Sequence, residues 1–522
     1  VSDANFAAAS NQDDASDRVL RRAAEATRIP GNALTLLRDG PEVFAAWLGD
    51  IATAQRFILL ENYIFSSDRI GTKIAEALIA RARAGIEVYV LYDWFGCLET
   101  SRQFWLRMKH SGVKVRAFQP FSFSAPLHSV QRNHRKALCI DGVIGHIGGV
   151  CIGDAWAGGL EVEGAEPVPP WRDTAVRIVG PAAFELCLAF DDTWGMCGPA
   201  LPSRLFEPPE PLAAEDTLKE TERAPVRVVA GLPARSRIYR LTQVLFTNAT
   251  SRIWVTDAYF LTPPAMYEAL VSAARDGVDV RVLVPGRSDL PWIAWMGRAG
   301  YAGLLEAGVR VFEWDGPMLH AKSTVVDGKW CRIGSSNLNL ASLLTNWELD
   351  VVIEDSGFSA AMEQMFLRDL GQATELVLRA TRLRVSIQRA DEPEKKSSAD
   401  STGQTNLKEG RRRALPGRPG AAVARAGAIM LGAALRRQYE RSTVSVSMAA
   451  AFTLLGLAAL AFFYPTGFSL GLAVMLLWLG LGALLRAITE LFQRRSRKRR
   501  RRRNSAHGGG SSSGSRTITG LL

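Results

Sequence analysis

His320-Ala321-Lys322-Ser323-Thr324-Val325-Val326-Asp327-Gly328-Lys329-Trp330-Cys331-Arg332-Ile333-Gly334-Ser335-Ser336-Asn337 is the stretch from which the fold is read. Ser323 to Asp327 is a β-branched, apolar run that closes on Asp-Gly, which predicts a strand, a tight turn and a returning strand over Trp330 to Ile333. Side chains on a strand alternate faces, so His320 and Lys322 project to one side and Asp327 to the other. An imidazole and an ammonium therefore share a site, in a chain with only six histidines. Gly334 to Asn337 are small, hydroxyl or amide residues suited to capping a helix, and an exposed helix start binds anions through its free N–H groups. The stretch predicts a phosphate site.

The same frame stands earlier, as His134-Arg135-Lys136-Ala137-Leu138-Cys139-Ile140-Asp141-Gly142 followed by Gly148-Gly149-Val150-Cys151. Two copies of His-x-Lys-x4-Asp, each in a strand, Asp-Gly, strand setting, argue against coincidence. The flanks repeat as well. Phe57-Ile-Leu-Leu-Glu61-Asn-Tyr63 is echoed by Ile253-Trp-Val-Thr-Asp257-Ala-Tyr259, and Ser111-Gly-Val-Lys-Val by Ala307-Gly-Val-Arg-Val. In the first series helices are predicted at 41–54, 69–84, 101–110 and 182–194, between short apolar strands at 57–60, 86–92, 113–118 and 174–179. That alternation predicts an α/β fold of two tandem repeats with a largely buried sheet. Two copies facing each other about a pseudo-two-fold axis would merge both motifs into one site.

The expected divisions are a polar, loosely attached extension at 1–30, repeats at 31–198 and 226–387, and a Pro-rich linker at 199–225 between them. Residues 388–443 read as a disordered basic tether. The apolar runs 444–463 and 468–485 follow, about 18 to 20 residues each and long enough to reach roughly 27 to 30 Å as helices. They predict a transmembrane hairpin within 444–492, ahead of a basic, Gly/Ser-rich tail at 493–522. The formal charge of +11 is unevenly placed: residues 1–400 hold 43 Lys+Arg against 49 Asp+Glu, and residues 401–522 hold 20 against 3. An acidic body disfavours nucleic acid as partner, while a basic tail beside apolar runs points to an anionic membrane with the body on its cytoplasmic side. Val1 to Asn5 begin no basic and apolar leader, so no secretory signal is expected. Six scattered cysteines without Cys-x-x-Cys predict reduced, mostly buried thiols.

With both motifs in view, the chain resembles the phospholipase D superfamily, and within it the bacterial cardiolipin synthases. The likeness runs over about residues 31 to 380 and includes Glu61-Asn-Tyr-Ile-Phe, Gly148-Gly149, Trp171-Arg-Asp173-Thr and Asn346-Trp-Glu348. It implies transfer of a phosphatidyl group between phospholipids, typically two phosphatidylglycerols giving cardiolipin and glycerol, at a bacterial inner membrane. One imidazole would attack phosphorus to form a phosphohistidine and the other would act as acid and base. The resemblance makes His134 the nucleophile and His320 the acid/base.

Lys136 and Lys322, with Ser335, Asn337 and Gly149, would hold the phosphoryl oxygens, so no metal and no cofactor are expected. Asp141 and Asp327 complete the motifs, with a turn-holding role favoured. A histidine nucleophile needs an acceptor on its other nitrogen. Glu348 is the candidate for His320 and Asp173 for His134. Two departures from the family pattern are Cys151, where Asn is usual, and a carboxyl-terminal rather than amino-terminal hairpin. Competing readings on the same residues are a phospholipase D type hydrolase, a nuclease, and a scaffold with a decayed first motif.

Overall fold

Short β-rich runs between amphipathic helices build one long sheet. In the computed structural model, residues 16–120, 131–159, 168–207, 223–233, 235, 237–378 and 412–415 are described. All of them fall in one compact unit spanning 1–120 and 131–440. The first half contributes β1 (Ile29–Arg38), β2 (Phe57–Asn62), β3 (Glu87–Asp93), β4 (Lys114–Phe118), β5 (Ala137–Ile140), β6 (Ile144–Gly148) and β7 (Thr174–Val179). The second contributes β8 (Ala224–Gly231), β9 (Arg252–Asp257), β10 (Asp279–Pro285), β11 (Arg310–Trp314), β12 (Lys322–Val326), β13 (Trp330–Gly334) and β14 (Glu348–Glu354), with β15 (Ala373–Leu378) and β16 (Arg412–Leu415) beyond them.

Strand order makes the repeat explicit. From the centre outward the first half runs β1-β7-β6-β5-β2-β3-β4 and the second β8-β14-β13-β12-β9-β10-β11, the same order in corresponding strands. β1 and β8 pair antiparallel where the halves meet, Ile29 opposite Val226 and Asn32 opposite Ala224. The halves also share a core. Ile147, Val176 and Ile178 of the first pack in one cluster with Val325, Ile333, Leu349 and Val351 of the second. Separate clusters cover the outer face of each half.

The predicted helices lie at Asp39–Thr53, Arg69–Arg83, Arg102–His110 and Ala182–Met196. Asp68 and Ser101 cap the second and third of these by accepting from Gly71 N and Phe104 N. Both Asp-Gly turns are tight hairpins with both central residues left-handed, at φ 55 and 79° for Asp141-Gly142 and 53 and 63° for Asp327-Gly328.

The termini depart from expectation. Residues 16–24 are helical, and Leu20 and Ala24 are buried against Val229 and Leu241. Asp17 pairs with Arg227 and Glu25 with Arg237, so this part of the extension is fastened to the second half. The polar composition hid this docking, for which β8 and the helix Arg237–Thr247 offer a matching apolar face. Within the tether, Arg412–Leu415 forms a parallel edge strand on β15. No helix follows Ser335 to Asn337 directly. Only a short π-turn, Ala341–Thr345, comes before β14, because those small residues are used up in buried hydrogen bonds rather than in a cap. The apolar runs 444–463 and 468–485 lie outside the described residues, among which no helix is long and apolar enough to cross a membrane.

Candidate active site

Parallel pairing of β2 with β3 and of β9 with β10 sets the C-terminal ends of these strands side by side. The motifs enter at those ends. Ala137 pairs with Glu61 and Lys322 with Asp257, so each His-x-Lys begins where β2 or β9 finishes. The lysines are held beside their own histidines: Lys136 Nζ donates to His134 O at 2.6 Å, and Lys322 Nζ donates to His320 O.

The carboxylates cross between halves. His134 Nδ1 lies 3.0 Å from Glu348 Oε2, and His320 Nδ1 lies 2.8 Å from Asp173 Oδ2. This reverses the expected assignment of Glu348 to His320 and Asp173 to His134. The cause is in the backbone. Residues 133 and 347 form an isolated parallel bridge, in which His134 N donates to Trp347 O and Trp347 N to Arg132 O. Residues 172 and 319 form another, in which Arg172 N donates to Met318 O and His320 N to Arg172 O. Each segment entering a histidine is thus zipped to the segment entering the other half's carboxylate. With Nδ1 taken up, Nε2 of each imidazole is left for chemistry.

All six groups are deeply buried, with His134 at 8% and His320 at 5% exposure. Burial, with Lys322 beside it, pulls His320 down to about 4 against the opposing pull of Asp173. Burial also lowers His134, opposed by Glu348 and assisted by both Lys136 and Lys322. Burial brings Lys322 down to about 8. Burial alone would raise Asp173 and Glu348, but their histidine partners and the nearby lysines hold both below the usual carboxylate range. Each histidine feels the other half's lysine, so the two motifs form one centre.

The remaining predicted residues divide. Ser335 donates its hydroxyl to Glu348 Oε2 at 2.5 Å and accepts from Leu349 N, so its hydroxyl serves the carboxylate. Gly149 gives its N–H to Thr174 O, and a Cβ there would lie 2.1 Å from Asp173 Oδ1, so the position is bare to admit that carboxylate. Asn337 is buried, with its amide nitrogen 3.4 Å from Ser342 Oγ and its Oδ1 unpartnered. Cys151 occupies the matching place in the first half, fully buried, its thiol raised by burial and pulled back by both lysines. All six cysteines are free and five are buried.

Asp141 and Asp327 are not brought to the site. They sit at the far hairpin turns, roughly 16 Å along the strand from the lysines. Asp141 accepts from the backbone N–H groups of Gln55, Arg56 and Phe57 at 2.8 Å each. Asp327 does the same for Thr250, Ser251 and Arg252. Both aspartates are thus backbone latches at the turns.

Aromatic walls are what the motif frame did not reveal. Tyr63 packs edge-on against His134 at 5.0 Å, and Tyr259 against His320 at 6.0 Å. Trp156 and Trp171 flank His320, and Trp156 Nε1 donates to Asp173 Oδ2 at 3.0 Å. The repeat carried a signal for the tyrosines, since each stands two residues past the acidic end of its strand. Trp156 has no counterpart signal.

The arrangement can attack a phosphodiester with one free Nε2, deliver or take a proton with the other, and neutralise the phosphoryl oxygens with two ammonium groups. Among the described residues no cluster of His, Cys, Asp and Glu is placed to hold a metal ion.

A family model described as "Cardiolipin synthase, PLD-like domain" matches residues 48–155 and 243–370, once in each half. Cardiolipin synthase A of Pseudomonas syringae pv. syringae is 32% identical over 354 residues, which cover 67% of this chain and 70% of that protein. The cardiolipin synthase of Geobacillus thermodenitrificans is 33% identical over 345 residues, 65% of this chain and 66% of that one. The matched region thus spans about two thirds of these relatives. Among solved structures, phosphatidylserine synthase from Haemophilus influenzae superposes with a TM-score of 0.53 at 15% identity, covering 69% of this chain and 91% of that one, a likeness of fold.

Proposed function

Because this chain belongs to the cardiolipin synthase family of phospholipase D-like proteins, we propose that it transfers a phosphatidyl group between two phosphatidylglycerols. The observation that carries the reading is the pair of crossed histidine–carboxylate dyads facing both lysines in one buried centre. In the first step Nε2 of His134 attacks phosphorus, and the bond to the glycerol headgroup breaks as His320 gives its proton to the departing alkoxide. In the second, His320 takes the proton from the headgroup hydroxyl of another phosphatidylglycerol. That oxygen attacks the phosphohistidine, forming cardiolipin and freeing His134. The assignment of His134 as nucleophile follows the family pattern.

Burial and Lys322 hold down the proton affinity of His320, and the arriving phosphodiester anion raises it for the step in which His320 acts as an acid. Lys136 and Lys322 hold the phosphoryl oxygens throughout, with Asn337 beside them. Ser335 and Gly149 act one step back, through Glu348 and Asp173. The setting would be the cytoplasmic face of a bacterial membrane, with the apolar runs 444–463 and 468–485 as anchor. Incubating the full chain with phosphatidylglycerol vesicles tests the proposal: cardiolipin and glycerol are expected in equal amounts. Phosphatidic acid without cardiolipin would overturn it in favour of a hydrolase.

A further inference from the structure

Loops leaving the C-terminal ends of the parallel strands carry an unusual set of apolar side chains. Phe95 and Leu98 follow β3, Leu261 follows β9, and Leu290 and Trp295 follow β10. Their exposures are 55, 55, 39, 37 and 70%. Phe95 and Trp295, one from each half, are the Phe and Trp side chains most open to solvent among the described residues. This edge is also where both histidines sit, and each loop is tied to the site. Asp93 accepts from Phe95 N and from Asn133 N, the residue before His134. Leu261 bridges to Asn339, two residues past Asn337. Leu290 adjoins Asp289, whose carboxylate receives the Tyr259 hydroxyl at 2.9 Å. Surface apolar residues scattered singly are ordinary, but a set gathered around one site by both halves calls for a partner.

Beside Leu98 a groove of about 370 Å³ runs along the helix Arg102–His110. Stacked Tyr92 and Trp105 rings, 3.9 Å apart, line it together with Leu98 and Leu106, and the exposed Arg102 and Lys109 stand over it. No carboxylate lines it. Aromatic and aliphatic tips beside a cation match one kind of surface, in which an apolar interior lies beneath a layer of phosphates.

We infer that this edge is a membrane-contact rim: Phe95, Leu98, Leu261, Leu290 and Trp295 enter the acyl boundary of an anionic bilayer while Arg102, at the rim end of its helix, takes a phospholipid phosphate. The rim delivers a headgroup to the histidines without the lipid leaving the membrane. The inference rests on the phosphatidyltransferase reading for its substrate, yet it can be tested without turnover.

In the full chain, an environment-sensitive dye on Leu98→Cys is compared with the same dye on Asn248→Cys, which lies before β9 at the opposite edge. With phosphatidylglycerol vesicles a blue shift is expected at position 98 only, and a much smaller one with phosphatidylcholine vesicles. No shift at 98, or equal shifts at both positions, would overturn the inference. In a second measurement the Phe95→Ser/Leu98→Ser/Trp295→Ser variant is expected to lose about tenfold or more of its turnover on vesicles, while keeping it within about twofold on monomeric dihexanoyl-phosphatidylglycerol. Equal loss on both substrates, or none on vesicles, would overturn it. Failure of the transferase reading shows separately, as absence of cardiolipin from the wild-type protein, and leaves the dye result to decide.

Discussion

Asp173 and Glu348 hold the histidines in one tautomer, each donating Nδ1–H to a buried carboxylate, and each carboxylate is itself held by a second donor. For Asp173 that donor is Trp156 Nε1, and for Glu348 it is the Ser335 hydroxyl. Replacing Glu348 by Gln should lower turnover by about 10²- to 10⁴-fold, since the imidazole loses both its orientation and the stabilisation of its charged form. The crossing makes a sharper demand. In ¹⁵N-histidine NMR, Glu348→Gln should move the His134 signals and leave those of His320, and Asp173→Asn should do the reverse. The opposite pattern would restore the assignment within halves.

Lys322 provides a pH test at the same scale. Its ammonium, brought down to about 8 by burial, is present below that pH and lost above it. Competitive inhibition by tungstate should therefore weaken above about pH 8, by at most about tenfold per unit, and Lys322→Ala should abolish that limb. The histidines and lysines were legible because spacing on a strand fixes their face. The pairing of carboxylates was not, because it depends on which segments bridge, and bridges between residues 133 and 347 leave no local pattern.

The hairpins illustrate how much an element's sequence says about itself and how little about its use. Asp-Gly turns, strand lengths and the inward face of His-x-Lys follow from local chemistry, and β12, β13 and β7 lie where periodicity put them. The aspartates share the motif with the histidines but belong to the latch at the other end. Asp141→Ala should cost about 2 kcal/mol in chemical denaturation, from three charge-assisted backbone hydrogen bonds, while kcat stays close to that of the wild type. A loss of kcat without loss of stability would make Asp141 part of the chemistry. Gly149→Ala, by contrast, should lower turnover. Its Cβ would press on the Asp173 carboxylate and displace the His320 ring, lowering turnover by about a hundredfold. The helix expected after Ser335 failed to appear because residues good at capping are equally good at satisfying buried carboxylates, and here Glu348 and Asp350 claim Ser335 and Ser336.

At the scale of the whole molecule, the repeat in sequence was enough to predict two similar halves, and the matching strand orders bear that out. What it could not supply was the stitching between them. One sheet continues through β1 and β8, one core is shared, and Arg172 ties the halves by donating through Nε and Nη2 to Asp369 Oδ2 at 2.9 and 2.7 Å. Both partners of that pair are buried, at 2 and 1% exposure. The same Arg172 forms the bridge that places His320, so stability and catalysis meet at one residue. Asp369→Ala should destabilise the protein by about 3 kcal/mol, since it takes the buried Arg172 guanidinium's two shortest carboxylate bonds and leaves it only Asp39 as an ion-pair partner, whereas Arg172→Met/Asp369→Leu should recover part of that loss. Because the halves share sheet and core, calorimetry of the catalytic body should show one cooperative transition in the wild type. Two resolved transitions, one for each half, would mean that the bridges at 133–347 and 172–319 form after the halves have folded rather than with them.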